Sequence, residues 1–384
     1  MQVISLDQQL NFFNGKAIPK KKINVEKNIG YKVYGSNGVI GYSESYNHEN
    51  AIVIGRVGAY CGSVQYELGK FWATDNTIVC RPTDLKEIAY FYYLLEFINL
   101  NQYAGGAAQP LLTQSVLNTI KVKIHDESKR EFLGNFLNKI DESIGLIEKQ
   151  IFIFEKLIRS NFEEWFINFK FPNHEQVKFV DGIPEGWELK SVSELTQLIS
   201  RGITPKYNDE SGKSIVINQK CIRDNKLNLE LARRQDKEIS DSKLVQKGDV
   251  LINSTGAGTL GRVTQVHEDL PDTTVDTHVT IVRPLQAISS AWFGAAISNL
   301  ESYIETLGEG ATNQLELKRE VISRIDLVCP AIDIQNQFQT IVEPMQQQIL
   351  NLMKQNTHLL KLKETLLPRL MSGELDVSKL SSIG

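Results

Sequence analysis

The chain has few cysteines and no long apolar run. Its 384 residues include four cysteines, Cys61, Cys80, Cys221 and Cys329. These cysteines lie far apart, with no pair at metal-site or redox spacing, which suits a reducing compartment and argues against a disulfide framework. No stretch approaches the roughly 20 apolar residues that cross a bilayer, and residues 1–10 lack the blocks of a secretion signal. We therefore expect a cytoplasmic protein that makes no membrane contact.

The sequence also lacks common catalytic motifs. It has no P-loop and no Asn/Asp-Pro-Pro-aromatic motif of a methyltransferase. Gly256-Ala-Gly-Thr-Leu-Gly261 fits GxGxxG, but a strand-like alternation follows where a dinucleotide site needs a helix, so we favour a glycine-rich turn. Asp181 with Glu188 and Lys190 imitates a nuclease D…ExK site at short spacing, and we favour solvated surface there. We therefore expect a chain without catalytic activity and without a metal site.

The composition suits a folded protein of two domains. With 41% hydrophobic and 23% charged residues, the chain falls outside the disordered and fibrous classes, and its length exceeds one ordinary core. The net charge of −4 is unevenly distributed: residues 1–125 hold 12 Lys and Arg against 9 Asp and Glu, whereas residues 171–330 hold 18 against 23. Any contact with a nucleic acid would therefore depend on local basic patches.

The strongest local pattern is a narrow apolar stripe whose members are alternately four and three residues apart. Its members are Leu133, Leu137, Ile140, Ile144, Ile147, Ile151, Phe154 and Ile158. A repeat of 3.5 residues is typical of a helix that supercoils with a partner helix. We predict this helix over residues 128–169, beginning at a capping box formed by Ser128 and Glu131.

A second stripe lies 205 residues further along the chain. The shift places it at Phe338, Val342, Met345, Ile349, Leu352, Asn356, Leu359 and Lys363, apolar at six of the eight positions, and it continues to Leu366 and Leu370. We therefore predict two long antiparallel helices that pair within the chain. Pro344 is predicted to kink the second helix or delay its start, and Asn356, a polar residue in the stripe, is predicted to fix the register of the pair.

Other short segments also return at an offset of about 200 residues. The matching pairs are 76–82 with 278–284, Gly62 with Gly261, and Ile120 with Ile325. This internal repeat predicts an α+β fold of two tandem mixed α/β globular domains, separated by the two coiled-coil-like helices and related by a pseudo-twofold. The predicted limits are 1–125 for the first domain, 126–170 for its helix, 171–330 for the second domain with a linker at 171–182, and 331–384 for the second helix and tail. A short helix is also predicted at 192–200.

Both halves combine basic side chains with amides and aromatic rings, which suits contacts with phosphates and base edges. In the first half the candidate DNA-binding residues are Lys20, Lys21, Lys22, Lys32, Tyr34, Asn37, Tyr42 and Arg56. In the second half they are Arg201, Lys206, Tyr207, Asn218, Gln219, Lys220 and Arg223, followed by the pair Arg233 and Arg234. For each residue alone an ordinary solvated surface remains the alternative, and recurrence in both halves favours the DNA-binding interpretation.

Several segments together resemble the specificity subunits of Type I restriction-modification enzymes. The first half carries Tyr34-Gly-Ser-Asn-Gly-Val-Ile-Gly-Tyr42, Gly55-Arg-Val-Gly-Ala-Tyr-Cys-Gly62 and Trp72-Ala-Thr-Asp-Asn76. The second carries Ile183-Pro-Glu-Gly-Trp187, Gly202-Ile-Thr-Pro205, Gly248-Asp-Val-Leu-Ile252 and the closing Leu366-Leu-Pro-Arg-Leu-Met-Ser-Gly373. The resemblance covers nearly the whole chain. The first half lacks the Pro-Glu-Gly-Trp entry, although residues 6–19 are similar to residues 193–205.

The resemblance implies that each globular domain is a target-recognition domain that reads half of a split sequence in double-stranded DNA. It also implies that the paired helices set the gap and dock two modification subunits, which carry S-adenosylmethionine. Restriction subunits, with ATP and Mg, would cleave. From the residues alone, two alternatives stay open: a coiled-coil adaptor with protein-binding globular ends, and a standalone nuclease built on Asp181, Glu188 and Lys190.

Overall fold

A computed structural model describes residues 1–25, 29–106, 109–310 and 315–375. The chain forms two compact units: unit 1 comprises Met1–Glu148 and Gln355–Gly384, and unit 2 comprises Lys149–Lys354. Each long helix therefore contributes one part to unit 1 and the other part to unit 2. The domain limits predicted from the sequence stay a prediction. Within the described ranges, no helix is long and apolar enough to cross a membrane.

Unit 1 is built on a six-stranded sheet. The strands of the whole unit are β1 Gln2–Ser5, β2 Leu10–Asn14, β3 Tyr31–Gly35, β4 Gly38–Ser43, β5 His48–Gly55, β6 Val64–Ala73, β7 Thr77–Pro82 and β8 Lys121–Ile124. The helices of the unit include α1 Ile88–Phe97, α2 Gln114–Thr119 and the start of α3 Glu127–Phe162. The sheet order is β2-β7-β5-β6-β3-β4, with β3 and β6 parallel and the other neighbours antiparallel. Strands β1 and β8 form a separate antiparallel ribbon.

Unit 2 carries smaller sheets. Its strands are β9 Phe179–Val180, β10 Ile183–Pro184, β11 Glu188–Ser191, β12 Thr196–Arg201, β13 Ser214–Ile217, β14 Ile222–Arg223, β15 Lys226–Leu227, β16 Arg233–Gln235, β17 Val250–Asn253, β18 Val263–Gln265, β19 Thr273–Val275, β20 Val279–Pro284 and β21 Asp326–Cys329. Its helices are α4 Val192–Leu195, α5 Ser290–Asn299, α6 Glu301–Thr306, α7 Arg319–Ser323 and the start of α8 Ile332–Met371. A four-stranded sheet of unit 2 has the order β12-β20-β17-β18, and a three-stranded sheet has the order β16-β13-β19.

The predicted stripes face the interior of the units. Each stripe residue is buried or half-buried. In unit 1, Leu133 and Leu137 of α3 share a core cluster with Leu370 of α8, and all three are 0% exposed. In unit 2, the rings of Phe166 and Phe338 pack with centroids 5.0 Å apart. Early α3 thus packs with late α8 in unit 1, and the end of the first helix packs with early α8 in unit 2, so the helices run antiparallel as predicted.

Three local predictions need correction. Helix α3 begins at Glu127, so Ser128 lies within its first turn and is not the cap; the helix ends at Phe162 and continues as a π-helical turn, Glu163–Ile167. Helix α8 runs from Ile332 through Pro344, so the predicted alternative of a late start is wrong, and the kink at Pro344 stays a prediction. The helix predicted at 192–200 ends at Leu195, because the following residues pair with β20 as strand β12.

The predicted internal repeat is confirmed at the level of the backbone. Ribbon β1–β8 of unit 1 returns as the antiparallel ribbon β11–β21 of unit 2. Just after the first strand of each ribbon, the N–H of Leu6 donates to the carbonyl of Ile120 at 3.0 Å, and the N–H of Val192 donates to that of Ile325 at 2.8 Å. The mixed α/β fold with repeated halves and two long helices therefore follows the sequence pattern.

Candidate nucleic-acid interface

Hairpin β3–β4 carries four of the candidate residues of unit 1: Lys32, Tyr34 and Tyr42 on its strands, and Asn37 in its turn. Lys32 Nζ lies 2.7 Å from Glu67 Oε2, and the Tyr34 hydroxyl donates to the same oxygen at 2.6 Å. Tyr34 is 3% exposed, and burial, together with the Glu67 carboxylate, raises the pKa of its phenol. Tyr34 therefore supports the sheet, whereas Lys32 and Asn37 are exposed.

The hairpin turn lies against the loop that holds Arg56. Ser36 Oγ donates to the backbone oxygen of Asn76 at 2.7 Å and accepts from the N–H of Val57 at 3.3 Å. The N–H of Arg56 donates to the same Asn76 oxygen at 2.9 Å. These bonds place Asn37 and Arg56 at one end of the sheet, and the half-buried Arg56 has a buried Nε without a hydrogen-bond partner among the described residues.

Two exposed features of unit 1 flank this surface. Lys20–Lys22 form an exposed 3-10 turn, after which Asn24 pairs with Tyr42 along the edge of β4. Tyr60, which ends the 3-10 turn Gly58–Tyr60 after Arg56, is 53% exposed. Sequence reasoning missed Tyr60, although an aromatic ring in a glycine-rich loop is a usable signal for base stacking.

In unit 2, Arg201 opens onto a pocket of about 350 Å³ that sequence reasoning did not foresee. The pocket is lined by Arg201, Gly202, Lys243, Glu316, Lys318, Arg319 and Glu320. Arg201 Nη1 lies 2.7 Å from Glu316 Oε1, and Nη2 donates to the carbonyl of Leu317 at 2.9 Å. The other basic residues come from distant segments, so only the folded chain brings them together.

Tyr207 forms a second exposed group in unit 2. The Arg233 guanidinium stacks 3.7 Å from the centroid of the Tyr207 ring and forms a bidentate pair with Asp209, the shortest contact being 2.7 Å. Tyr207 is 39% exposed, and the neighbouring Lys206 is exposed as well. This is a preorganised planar group on an aromatic face, which suits stacking with a base.

The remaining candidates of unit 2 have different environments. Asn218 Oδ1 accepts from the N–H of Lys220 at 2.9 Å, and its Nδ2 donates to the carbonyl of Leu231 at 2.9 Å, so the side chain serves the local fold. Gln219 Oε1 is buried without a hydrogen-bond partner within the described ranges. Lys220 and Arg223 are exposed.

The two motifs set aside in the sequence are structural here. Residues 256–261 form a turn followed by strand β18, as predicted. Lys190 Nζ lies 2.6 Å from Glu188 Oε2, and Asp181 is an exposed turn residue with φ of 51°. In the described part of the chain, no group of three or more His, Cys, Asp or Glu residues is arranged to hold a metal ion.

Known proteins share this fold and parts of this sequence. Residues 1–152 match the family model described as Type I restriction modification DNA specificity domain. The Type I restriction enzyme EcoprrI specificity subunit of Escherichia coli is 33% identical over 117 residues, which cover 30% of this chain and 29% of that subunit. The MjaIX specificity subunit of Methanocaldococcus jannaschii is 25% identical over 324 residues, covering 78% of this chain and 72% of that subunit.

The crystal structure of a Type-I restriction-modification system S subunit from M. genitalium matches with a TM-score of 0.73 at 17% identity, covering 96% of each chain. Two repeated α/β units joined by long antiparallel helices therefore define the same fold class. Residues 1–152 are therefore similar to a Type I restriction modification DNA specificity domain, and the fold of the chain is similar to that of a Type I S subunit.

Proposed function

We propose that this chain is the non-catalytic DNA-recognition subunit of a Type I restriction-modification complex, in which each unit reads one half of a bipartite target. The family match and the names of the relatives support this role. Acting on chromosomal DNA, the chain would work in the cytoplasm. The adaptor alternative gives no reason for the exposed amide, cationic and aromatic groups at the sheet end of unit 1.

One observation carries the proposal: the two units place different side chains at equivalent positions of one frame. The carbonyl of Arg56 accepts from the N–H of Leu112 in unit 1, and the carbonyl of Ser254 accepts from the N–H of Leu317 in unit 2, both at 2.8–2.9 Å. Arg56 and Ser254 thus occupy equivalent positions with different hydrogen-bonding chemistry. Because base edges are read by side-chain donors and acceptors, one frame with two chemistries suits two different half-sites.

The long helices suit the docking of partner subunits. On the part of α3 in unit 2, Phe152 is 63%, Ile153 46% and Leu157 43% exposed. Exposed apolar side chains in a group are typical of protein-binding surfaces. We assign this surface to two modification subunits, which would supply S-adenosylmethionine, while restriction subunits would supply the ATP- and Mg-dependent cleavage.

Helix length would set the gap between the half-sites. Helices α3 and α8 contain 36 and 40 residues. At a rise of 1.5 Å per residue they extend about 54 and 60 Å, more than one turn of DNA. Deleting one seven-residue repeat from both helices should shorten the gap and keep both half-sites, and an unchanged gap would refute the role of helix length.

The full chain, co-purified with its modification subunits, should methylate a two-part sequence with a fixed unspecified gap. Arg56→Gln should relax the preference within one half and leave the other half unchanged. Lys86→Gln, an exposed lysine of unit 1 away from the sheet end, is the matched control and should change neither half. A contiguous motif, or no sequence preference, would overturn the proposal and favour the adaptor alternative.

A further inference from the structure

The pocket beside Arg201 gathers four cations from separate segments of unit 2. Arg201 ends strand β12, and Lys243 ends the 3-10 turn Asp241–Lys243. Arg319 begins the short helix α7, and Lys318 directly precedes it. Two carboxylates, Glu316 and Glu320, also line the pocket, which leaves an excess of positive charge. An excess of this kind inside a concave site favours an anionic ligand.

Protein carboxylates neutralise only part of this cluster. Arg201 pairs with Glu316 at 2.7 Å, and Lys318 Nζ lies 2.7 Å from Glu309 Oε2. Lys243 and Arg319 form no ion pair with the residues that the structure describes. These two cations, set against the carboxylate of Glu320, therefore supply the charge available to a ligand.

The surroundings of Lys243 disfavour its charged form. Its Nζ donates to Ser200 Oγ at 2.6 Å and to the carbonyl of Arg201, which are two neutral acceptors. Burial, and then the positive charge of Arg319, lowers the pKa of Lys243. An anion between the two side chains would offset their repulsion and accept the remaining donors.

Unit 1 carries uncharged residues at the positions equivalent to Arg201 and Arg319. Gly15 and Gly202 are equivalent, because their N–H groups donate to Thr77 and Val279 at the start of strands β7 and β20. The residue before each glycine is Asn14 in unit 1 and Arg201 in unit 2.

Helix α2 of unit 1 likewise corresponds to α7, since the leucines two residues before them, Leu112 and Leu317, make the equivalent backbone bonds. Gln114 therefore stands where unit 2 has Arg319. The charges of Arg201 and Arg319 are therefore specific to unit 2 and are not part of the shared frame.

We propose that the pocket binds a phosphate of the DNA backbone through Lys243 and Arg319 and anchors unit 2 on its half-site. The proposal rests on the DNA-recognition function above. A phosphate contact carries no sequence information by itself, so its loss should weaken binding to all sequences alike and leave the target motif unchanged. It should also contribute to the salt dependence of binding.

The test compares the full chain with Arg319→Gln, each assembled with its modification subunits, on target and unrelated DNA. Arg319→Gln should lower the affinity at 150 mM salt about five- to tenfold on both DNAs and reduce the slope of log affinity against log salt by about 1. Lys178→Gln, which removes an exposed charge of unit 2 outside the pocket, is the matched control and should change neither quantity by a comparable amount. Arg319→Lys should retain most of the affinity.

A scan with single neutral methylphosphonates locates the contact. A methylphosphonate at one backbone position should weaken DNA binding by the unmodified protein and should not change DNA binding by Arg319→Gln. Two results would overturn the pocket assignment while bipartite DNA binding persists. One is a salt slope of Arg319→Gln equal to that of the unmodified protein. The other is that the effects of Arg319→Gln and of a methylphosphonate add at every backbone position. If the unmodified protein shows no bipartite DNA binding, the proposed function is overturned. If inorganic phosphate then stabilises the protein against unfolding and this effect depends on Arg319, the ligand of the pocket is a small phosphate in place of DNA.

Discussion

Units 1 and 2 share a backbone frame, and the frame needs glycine at the same place in both. Gly62 and Gly261 each lie where the chain turns back after a central strand. Their N–H groups donate to the carbonyls of Gly55 and Asn253, respectively, at 2.8 Å. Their φ angles are 86° and 81°, and an added Cβ would lie within 2.4 Å of a backbone atom of Asn101 or 2.6 Å of one of Glu305. A side chain at either place would therefore clash with the main chain.

The units differ in how side chains stabilise that frame. Arg81 and Arg283 occupy equivalent places in strands β7 and β20. Arg283 forms a bidentate pair with Asp249, which is 0% exposed, at 2.7 and 2.8 Å. Arg81 instead donates to the carbonyl of Glu49 at 3.1 Å.

The ends of the helix pair differ in the same way. In unit 2, Phe338 of α8 is 0% exposed and packs against the rings of Phe162, Trp165 and Phe166. In unit 1, Lys363 of α8 forms an ion pair with Asp141 of α3. Backbone bonds and glycines are therefore common to both units, whereas the side chains that stabilise each unit differ.

The largest expected difference between the units concerns the buried ion pair. Asp249→Ala leaves the Arg283 charge buried without its carboxylate and should lower the free energy of unfolding of unit 2 by about 3–5 kcal/mol. Urea unfolding followed by tryptophan fluorescence measures this, because the buried Trp165, Trp187 and Trp292 all lie in unit 2.

Arg81→Met is the matched change in unit 1. Because Arg81 is only half-buried and bonds a neutral carbonyl, this variant should lose about 1 kcal/mol. Equal losses for Asp249→Ala and Arg81→Met would contradict the distinction between the two arginines.

Acid should destabilise unit 2 through His267. Burial lowers the pKa of His267 from 6.5 to about 4, with a smaller effect of Lys247. The neutral ring is favoured in the folded state, so its contribution to stability is complete above pH 6.5 and is lost as the pH falls toward 4. The loss should reach about 2 kcal/mol at pH 5.

His267→Gln should remove that part of the pH dependence in urea unfolding between pH 7 and pH 5. Burial also lowers the pKa of His125 in unit 1, so His125→Gln is the comparison variant. If His267→Gln and the unmodified protein lose stability equally on acidification, the assignment to His267 is wrong.

Periodicity and repetition predicted most of the fold. The glycine turn at 256–261, the stripes on α3 and α8 and the matching strands β7 and β20 all follow from local patterns. The prediction at 192–200 was wrong because its local pattern suits a helix, whereas pairing with β20 along the sheet edge fixes residues 196–201 as a strand. Long-range pairing overrode local preference there.

The candidate interface was less predictable, because it depends on residues that meet only after folding. Tyr34 fits a base-contacting residue by type, but a carboxylate 33 residues away holds its hydroxyl inside the sheet. Lys243 and Arg319 lie in separate segments without any motif, yet line one pocket. Side-chain type alone could not separate structural from exposed groups.

Lys363 stands in the second stripe where the first stripe has the apolar Ile158, and it forms ion pairs within unit 1. Its Nζ lies 2.9 Å from Asp141 Oδ2 and 3.8 Å from Glu96 Oε2, and its side chain is 17% exposed. Lys363→Met should cost about 1–2 kcal/mol, since two carboxylates lose their partner. Hydrogen exchange of the α8 amides in unit 1 should quicken, and added salt should narrow the difference from the unmodified protein. Lys361→Met, at an exposed position two residues away, should leave exchange unchanged; equal effects of both variants would contradict the role of Lys363.

The smallest expected effect sharpens the comparison at Asn356, the polar residue of the second stripe. Its Oδ1 is buried and finds no hydrogen-bond partner among the described residues, whereas Ile151, 205 positions earlier, is apolar and 6% exposed. Asn356→Leu removes the unsatisfied oxygen and should raise the free energy of unfolding by about 1 kcal/mol. The polar residue should also disfavour other alignments of the helices, so the variant should methylate targets with a less uniform gap. Asn356→Ala separates the two effects, because it removes the oxygen without adding apolar contact; a lowered melting temperature with an unchanged gap in Asn356→Leu would contradict the role in register.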